Sequence, residues 1–229
     1  MLSELLGYPI RDGSRVEMLV LGGGLHLLAT WLPVLPLVLV LGYLGRLAAA
    51  TAGDEPPPAP AWRPLVGLVV LGLRLVVTAI GYLLLPVTLL VVTLGGPIDG
   101  SRLLNGAEGI VFIAGTTLAT ALAVASVYPL PAALVAVAKR GRLRAALDRG
   151  LLGTATRDAG YLVAVLLSGA GLGLLAALYD SLNRLALGFF LAFYVEVVVA
   201  LVLTNATMRA WRRAGREPPT ANAPAPGPD

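Results

Sequence analysis

The stretch LAFYVEVVVALVL, residues 191–203, decides the fold class of this chain. It belongs to a longer apolar run, 185–204, and a helix needs roughly 20 apolar residues to cross about 30 Å of hydrocarbon. A helix also pairs its own backbone N–H and C=O groups, which find no water inside a bilayer. The run therefore predicts a membrane-spanning helix with one carboxylate, Glu196, near its middle.

Four further runs of the same kind predict about five spans in all, and they cover 18–44, 75–94, 109–138 and 160–179. Hydrophobic residues make up 57% of the chain and charged residues 13%, whereas a soluble domain carries about 25% charged residues. Prolines inside the long runs predict kinks. The predicted fold class is all-α, a polytopic transmembrane helical bundle. The first run, which holds Pro33 and Pro36, is compatible with one kinked span or with a hairpin.

The pattern divides the chain into three parts. Residues 1–17 are predicted to form an N-terminal interfacial segment, 18–210 the transmembrane helical domain, and 211–229 a disordered tail rich in proline and alanine. Between two spans, residues 139–157 place leucines at helical spacing among arginines. That spacing predicts an amphipathic helix on the cytoplasmic membrane surface.

The basic residues predict the orientation of the chain. Of 17 Lys and Arg, 13 fall in the segments 45–74 and 139–159 or from Arg209 onward, and the other four are Arg11, Arg15, Arg102 and Arg184. Cytoplasmic loops carry the excess of positive charge in membrane proteins. We therefore expect a multi-pass protein of the cell membrane with a cytoplasmic C-terminus and the N-terminus outside. This arrangement also explains the net charge of +4 without a nucleic-acid partner.

A weak internal repeat is present. PVLPLVLVLGYLGRLAAATAGD (33–54) and YPLPAALVAVAKRGRLRAAL (128–147) each begin with spaced prolines and end in a basic segment, and a Gly-Tyr pair follows in the next span. Both units would run in the same direction, as a parallel repeat.

The segments LSELLGYPIRDGSRVEMLVLGG, PLVLVLGYLGRLAAATAGDEPPPAPAWRP and LPAALVAVAKRGRLRAALDRGLLGTATRDAGYL resemble a mostly archaeal membrane family, common in haloarchaea. It is catalogued as domain of unknown function 4013. The similarity covers roughly residues 2–210. The resemblance implies the polytopic architecture and leaves the activity open.

Glu196 and His26 are the candidate intramembrane polar site. A carboxylate that faced lipid near the midplane would cost at least about 2.5 kcal/mol, so Glu196 is expected to face the other helices. Glu196 would then either form a hydrogen bond between helices or bind and release protons or cations. His26, the sole histidine, lies at a depth within reach of Glu196 if the two spans are neighbours. A hydroxyl of the third span is the other expected partner.

Other polar positions have structural explanations. Hydroxyls at Thr116, Thr120 and Thr207 are expected to bond within helices, and Gly169 with Gly173 matches a GxxxG packing face. The chain has no cysteine and no HExxH motif or paired intramembrane aspartates. We therefore predict no catalytic residues, no metal site and no cofactor.

Two functions remain open after these exclusions. The leading hypothesis is a non-enzymatic scaffold or partner-assisting membrane component, whose partners are the lipid bilayer and either other copies of itself or another membrane protein. The alternative is a small transporter or channel component that uses Glu196 and His26. The two hypotheses differ in whether these residues line a water-accessible cavity.

Overall fold

The computed structural model of the chain describes residues 2–52, 57–94, 107–183 and 186–216. These residues form helices joined by turns and contain no strand, so the all-α class is confirmed. In chain order the helices are α1 (Leu2–Gly7), α2 (Gly13–Ala29), α3 (Val34–Ala50), α4 (Leu65–Leu94), α5 (Ala107–Val127), α6 (Leu130–Arg140), α7 (Arg149–Thr156), α8 (Ala159–Asn183) and α9 (Leu187–Arg213).

Four stretches of the described residues are long and apolar enough to cross a membrane. They are Leu65–Thr93, Phe112–Arg140, Ala159–Leu178 and Leu187–Arg213. The second comprises α5 and α6, which separate at Tyr128 because Pro129 and Pro131 form the start of a new helix. The helical bundle that the sequence predicts is thus present, with four helical stretches of spanning length.

The run 18–44 forms two helices and not one span. α2 ends at Ala29, and the N–H of Thr30 closes it on the carbonyl of Leu27. α3 begins after Pro33, and at 17 residues it is shorter than the four stretches above. Proline favours the first turn of a helix, where its missing N–H would have no partner in any case. Trp31 is 87% exposed at this apolar turn, as a side chain that contacts lipid would be.

The N-terminal helix α1 packs against α9, with Leu5 in one hydrophobic cluster with Val197 and Leu201. We call the end of the bundle where α3, α6 and α9 finish the basic end. Leu5 of α1 lines the same groove as Arg209 of α9. The guanidinium of Arg15 donates to the carbonyl of Pro57, in the segment after α3, at 3.4 Å. Because α2 and α3 form a hairpin, the expectation that the N-terminus lies opposite the basic loops is wrong. Arg15 instead adds to the positive charge of this end.

α3 and α4 approach each other through a reciprocal pair of glycines. A Cβ on Gly42 would lie 2.0 Å from the carbonyl oxygen of Leu68, and a Cβ on Gly72 would lie 2.0 Å from that of Val38. Each helix therefore presents a glycine to the backbone of the other. This contact holds the first half of α4 against α3. The second half of α4 is more exposed.

Three basic side chains at the basic end donate hydrogen bonds to backbone carbonyls of neighbouring segments. Lys139, 1% exposed, donates to the carbonyls of Ala49 and Thr51 at the end of α3, at 3.0 and 2.5 Å. Arg46 donates to the carbonyls of residues 61, 63 and 64 before α4, and Arg74 to that of Gly141. Cations suit the carbonyl ends of helices, where the helix dipole is negative. α3 and α6 thus end side by side, as the predicted parallel repeat requires.

The predicted amphipathic helix over 139–157 is not continuous. α6 ends at Gly141, whose φ of 63° is a left-handed conformation that favours glycine. A 3-10 helix, Leu143–Leu147, follows and buries Ala145 and Ala146, while Leu147 remains 74% exposed. The prediction of a short helix in this segment holds for α7, which lies beside α9.

The beginning of the predicted disordered tail is ordered. Trp211 is fully buried, and its indole N–H donates to the carbonyl of Leu151 in α7 at 2.9 Å. Arg216 donates to the carbonyl of Gly150 at 3.1 Å. Residues 217–229 of that predicted tail lie outside the described part of the chain.

Asp148 caps α7, and its replacement should weaken the basic end in a pH-dependent way. The backbone N–H groups of Leu151 and Gly150, together with Arg140 at 2.7 Å, hold the pKa of Asp148 below its usual value. We expect Asp148→Ala to cost about 1 kcal/mol of unfolding free energy near neutral pH. A lowered pKa stabilises the fold above the ordinary value and loses that effect as the pH falls through the lowered value.

Thermal unfolding in detergent at neutral and acidic pH measures this loss. The difference between wild type and Asp148→Ala should shrink in acid. Asp148→Asn keeps a good N-cap but cannot titrate, so it should lie between the two at neutral pH. An Ala variant as stable as wild type at neutral pH would contradict the prediction.

Candidate functional site

Glycines on α2 allow α9 to pack closely beside the candidate site. A Cβ on Gly22 would lie 2.2 Å from the ring of Phe193, and a Cβ on Gly23 would lie 2.3 Å from the ring of Phe190. Nothing lies within 4 Å of a Cβ on Gly24. Two of the three consecutive glycines therefore make room for phenyl rings. This packing brings His26 of α2 to the face of α9 that carries Glu196.

His26 and Glu196 are directly hydrogen-bonded. The His26 Nε2 lies 3.1 Å from the Glu196 Oε1, and the His26 Nδ1 lies 3.0 Å from the carbonyl oxygen of Gly22. Because a carbonyl can only accept, Nδ1 carries a hydrogen. Nε2 then either donates to a carboxylate or accepts from a protonated carboxyl. The two forms hold the same number of protons, and the pair has no net charge in either.

An aromatic cluster covers one side of this pair. The ring of Phe193 lies 6.0 Å from that of His26 and 6.2 Å from that of Tyr43, measured between centroids. Trp62 stacks on Tyr43 at 4.1 Å. The loop before α4 thus reaches the core through Trp62. The cluster keeps the imidazole in apolar surroundings.

Glu196 also lines a cavity of about 390 Å³ bounded by α3, α4, α6, α8 and α9, which we call the Glu196 cavity. Its walls are almost entirely apolar side chains, such as Leu41, Val135 and Leu172, with Thr204 as a further polar residue. The Glu196 Oε2 has no hydrogen-bond partner among the described residues and is buried. The carboxyl therefore stands between a histidine and an apolar space.

Three threonine hydroxyls of the spans bond within their own helices. Thr116 donates to the carbonyl of Phe112 and Thr120 to that of Thr116, each at 2.8 Å. Thr207 donates to the carbonyl of Leu203 at 2.7 Å. The span-three hydroxyls that were expected as partners for Glu196 do not bond it, and His26 occupies that role.

The described residues contain no group of three or more His, Cys, Asp or Glu side chains that could hold a metal ion. The small set of polar residues near Glu196 also offers no nucleophile paired with a base, since the single histidine is bonded to a carboxyl and a carbonyl. The arrangement can hold two helices together or exchange a proton within one pair. It does not assemble the parts of a hydrolytic site.

Glu196→Gln should be tolerated far better than Glu196→Leu. An amide keeps the shape and can still bond the His26 Nε2, whereas leucine leaves that nitrogen unpaired in an apolar place. We expect Leu to cost about 2 kcal/mol and Gln less than half of that. Thermal unfolding in detergent compares the two variants. The structural interpretation of the pair would fail if Gln were as destabilising as Leu.

One comparison with known proteins matches most of the chain. The family model described as protein of unknown function (DUF4013) matches residues 25–182. This range contains His26 and most of the bundle, and it ends before α9 and Glu196. No curated protein and no solved structure matches the chain.

Proposed function

Because the chain belongs to the DUF4013 family, whose description names no activity, we propose from its own geometry that it is a non-enzymatic membrane component. It would organise or assist other membrane components. The observation that carries this proposal is the bond between Glu196 and His26. Each of these two groups finds its partner within the fold, as polar groups between packed membrane helices do.

The surroundings of the pair support a structural role. The walls of the Glu196 cavity are almost entirely apolar. The hydroxyls of Thr116, Thr120 and Thr207 donate to backbone carbonyls of their own helices. An ion or a proton crossing the bilayer needs a series of polar groups or waters along its path. The described residues around Glu196 supply no such series.

A second copy of the chain is the partner that we propose. On α8, a Cβ on Gly169 or Gly173 would have no described atom within 4 Å, and Leu166 on the same face is exposed. At about 100° per residue, this face lies opposite the side of α8 that carries Tyr161 and Ala164, which are buried. Small residues at this spacing let two membrane helices approach closely. The face would therefore suit homo-oligomer formation.

Disulfide cross-linking tests this proposal, because the chain has no native cysteine. Leu166→Cys in intact membranes should form a dimer on oxidation, and adding Gly169→Leu should reduce it. Ile113→Cys on α5 is the matched control, since that side chain is similarly exposed. The proposal would fail if both cysteines cross-linked equally or if neither did.

A small transporter or channel component is the second candidate function. The observation that favours it is the position of Glu196, which contacts His26 on one side and lines a cavity on the other. Such a protein would move protons or cations in a way that depends on the carboxyl group. The described cavity walls carry Thr204 as the polar residue besides Glu196, and this scarcity of polar groups makes it the weaker of the two proposals.

The proposed location is the cell membrane, with the basic end in the cytoplasm. Cysteines introduced at Gly141 and Gly215 should be shielded from an impermeant thiol reagent in intact cells. A cysteine at Arg11, which is exposed just before α2, should be shielded too, because Arg15 at the start of α2 contacts the segment after α3. Labelling of Arg11→Cys alone would contradict the hairpin of α2 and α3.

A further inference from the structure

A second cavity, of about 300 Å³, lies between α8 and α9 at the basic end, and we call it the α8–α9 groove. Its inner part is apolar, with Val163 and Leu167 from α8 and Val202 from α9. Its outer part carries Arg209 and Arg213. At 1.5 Å per residue, Arg209 lies roughly 10 Å further along α9 than Val202. The groove therefore changes from apolar to basic along its length.

Asn205 lies between these two parts and is unsatisfied. The residue is 1% exposed, and neither its amide nitrogen nor its amide oxygen has a hydrogen-bond partner among the described residues. Buried amides are almost always paired, and an unpaired one costs about 1–3 kcal/mol. Asn205 also lines the groove. The unpaired amide therefore points to a hydrogen-bond partner that the described residues do not supply.

The charges at the outer part favour an anion. Arg213 donates to Asp158 at 2.8 Å and is largely exposed, and Arg209 lines the groove beside them. Both guanidinium side chains therefore lie at the outer part of the groove. An arginine has five donors, so each can bond a phosphate in addition to another partner.

We propose that the α8–α9 groove binds one anionic phospholipid of the leaflet at the basic end. An acyl chain would occupy the apolar part beside Leu167 and Val202. The ester groups would lie at the level of Asn205, where the amide can donate to a carbonyl oxygen. The phosphate would contact Arg209 and Arg213. Basic pockets between membrane helices are known sites for anionic headgroups. This site lies on a different part of α8 from the proposed oligomer face and does not depend on it.

Native mass spectrometry of the purified full chain in detergent tests the proposal. Dioleoylphosphatidylglycerol and dioleoylphosphatidylcholine are added in equal amounts, and the ratio of the two adducts is measured. The phosphatidylglycerol adduct should dominate. Arg209→Gln should lower the ratio about fivefold, from about 1 kcal/mol for one basic residue near an anionic headgroup.

Arg144→Gln is the matched control for total charge, because Arg144 is exposed at the basic end and does not line the groove. It should leave the adduct ratio unchanged. Ala206→Phe, which fills the groove, should reduce the adducts of both lipids. Phosphatidylglycerol should also raise the unfolding temperature of wild type and not that of Ala206→Phe.

Three results would overturn the proposal. The first is equal adducts of the two lipids on wild type. The second is an equal fall in the ratio for Arg209→Gln and Arg144→Gln, which would indicate general surface charge. The third is a lipid-free dimer that Ala206→Phe abolishes, because a second copy of the chain would then occupy the groove.

Discussion

Gly42→Ala is expected to destabilise the bundle strongly. The new Cβ would lie 2.0 Å from the carbonyl oxygen of Leu68, and that oxygen belongs to the backbone of α4 and cannot rotate away. α3 and α4 must separate to relieve the clash, so contacts along both helices weaken together. Overpacking of this kind costs about 3 kcal/mol. Thermal unfolding in detergent should show a correspondingly lower midpoint.

Gly81→Ala on α4 is the matched control for this prediction. Nothing lies within 4 Å of a Cβ at that position, and alanine has the higher helix propensity. The control should therefore be neutral or slightly stabilising. Gly72→Ala should resemble Gly42→Ala, and the double variant should cost less than the sum because both changes separate the same helices. Equal stability of Gly42→Ala and Gly81→Ala would contradict the described crossing.

Lys139→Met is expected to produce the second large effect. The methionine keeps most of the side-chain volume but removes the ammonium group that bonds the carbonyls of Ala49 and Thr51. Hydrogen bonds from a charged donor contribute about 1.5–3 kcal/mol each, and these carbonyls lie at the buried end of α3. We therefore expect a loss of about 3 kcal/mol in unfolding free energy.

Arg144→Met serves as the control for Lys139→Met. Arg144 is exposed in the same basic segment, so its loss changes the charge equally and should alter stability by less than about 0.5 kcal/mol. Limited proteolysis of the segment after α3 gives a second readout, since Lys139 holds Thr51 in place. Unchanged stability and unchanged cleavage in Lys139→Met would show that the buried bonds contribute nothing.

Hydrophobic length predicted the helical class, because a helix lets a chain cross hydrocarbon with its backbone groups paired. Over 18–44 the same rule did not distinguish one kinked span from a hairpin, and the structure has two helices there. An apolar run indicates burial or lipid contact, but it does not show whether the helix is continuous. The turn after Ala29 is itself apolar, with Trp31 and Leu32. Pro33 and Pro36 were compatible with both a kink and a hairpin, since proline suits either.

Tertiary contacts explain the other differences between the structure that the sequence predicts and the observed structure. Trp211 follows the last apolar run and precedes a proline-rich tail, so composition assigned it to disorder, yet its indole is buried against α7. Leucine spacing over 139–157 predicted one helix, but Gly141 ends α6 in a left-handed conformation. Neither the partner of Trp211 nor the bonds of Lys139 can be read from local spacing.

The candidate site was partly predictable. Depth along the spans brought His26 and Glu196 to similar levels, and a buried carboxyl in a membrane helix requires a partner. That these two residues meet depends on α2 packing beside α9 through Gly22 and Gly23. The apolar walls of the Glu196 cavity and the unpaired amide of Asn205 depend on helix neighbours, which a single sequence does not specify.

Proton flux into liposomes tests most directly the central claim that Glu196 and His26 form a structural bond and not a proton path. The full chain is reconstituted in vesicles of phosphatidylcholine and phosphatidylglycerol that contain a pH-sensitive dye, and a pH gradient is imposed. We predict the same rate of internal pH change for wild type, for Glu196→Gln and for protein-free vesicles. A faster rate with wild type that is lost in a folded Glu196→Gln variant would contradict the account.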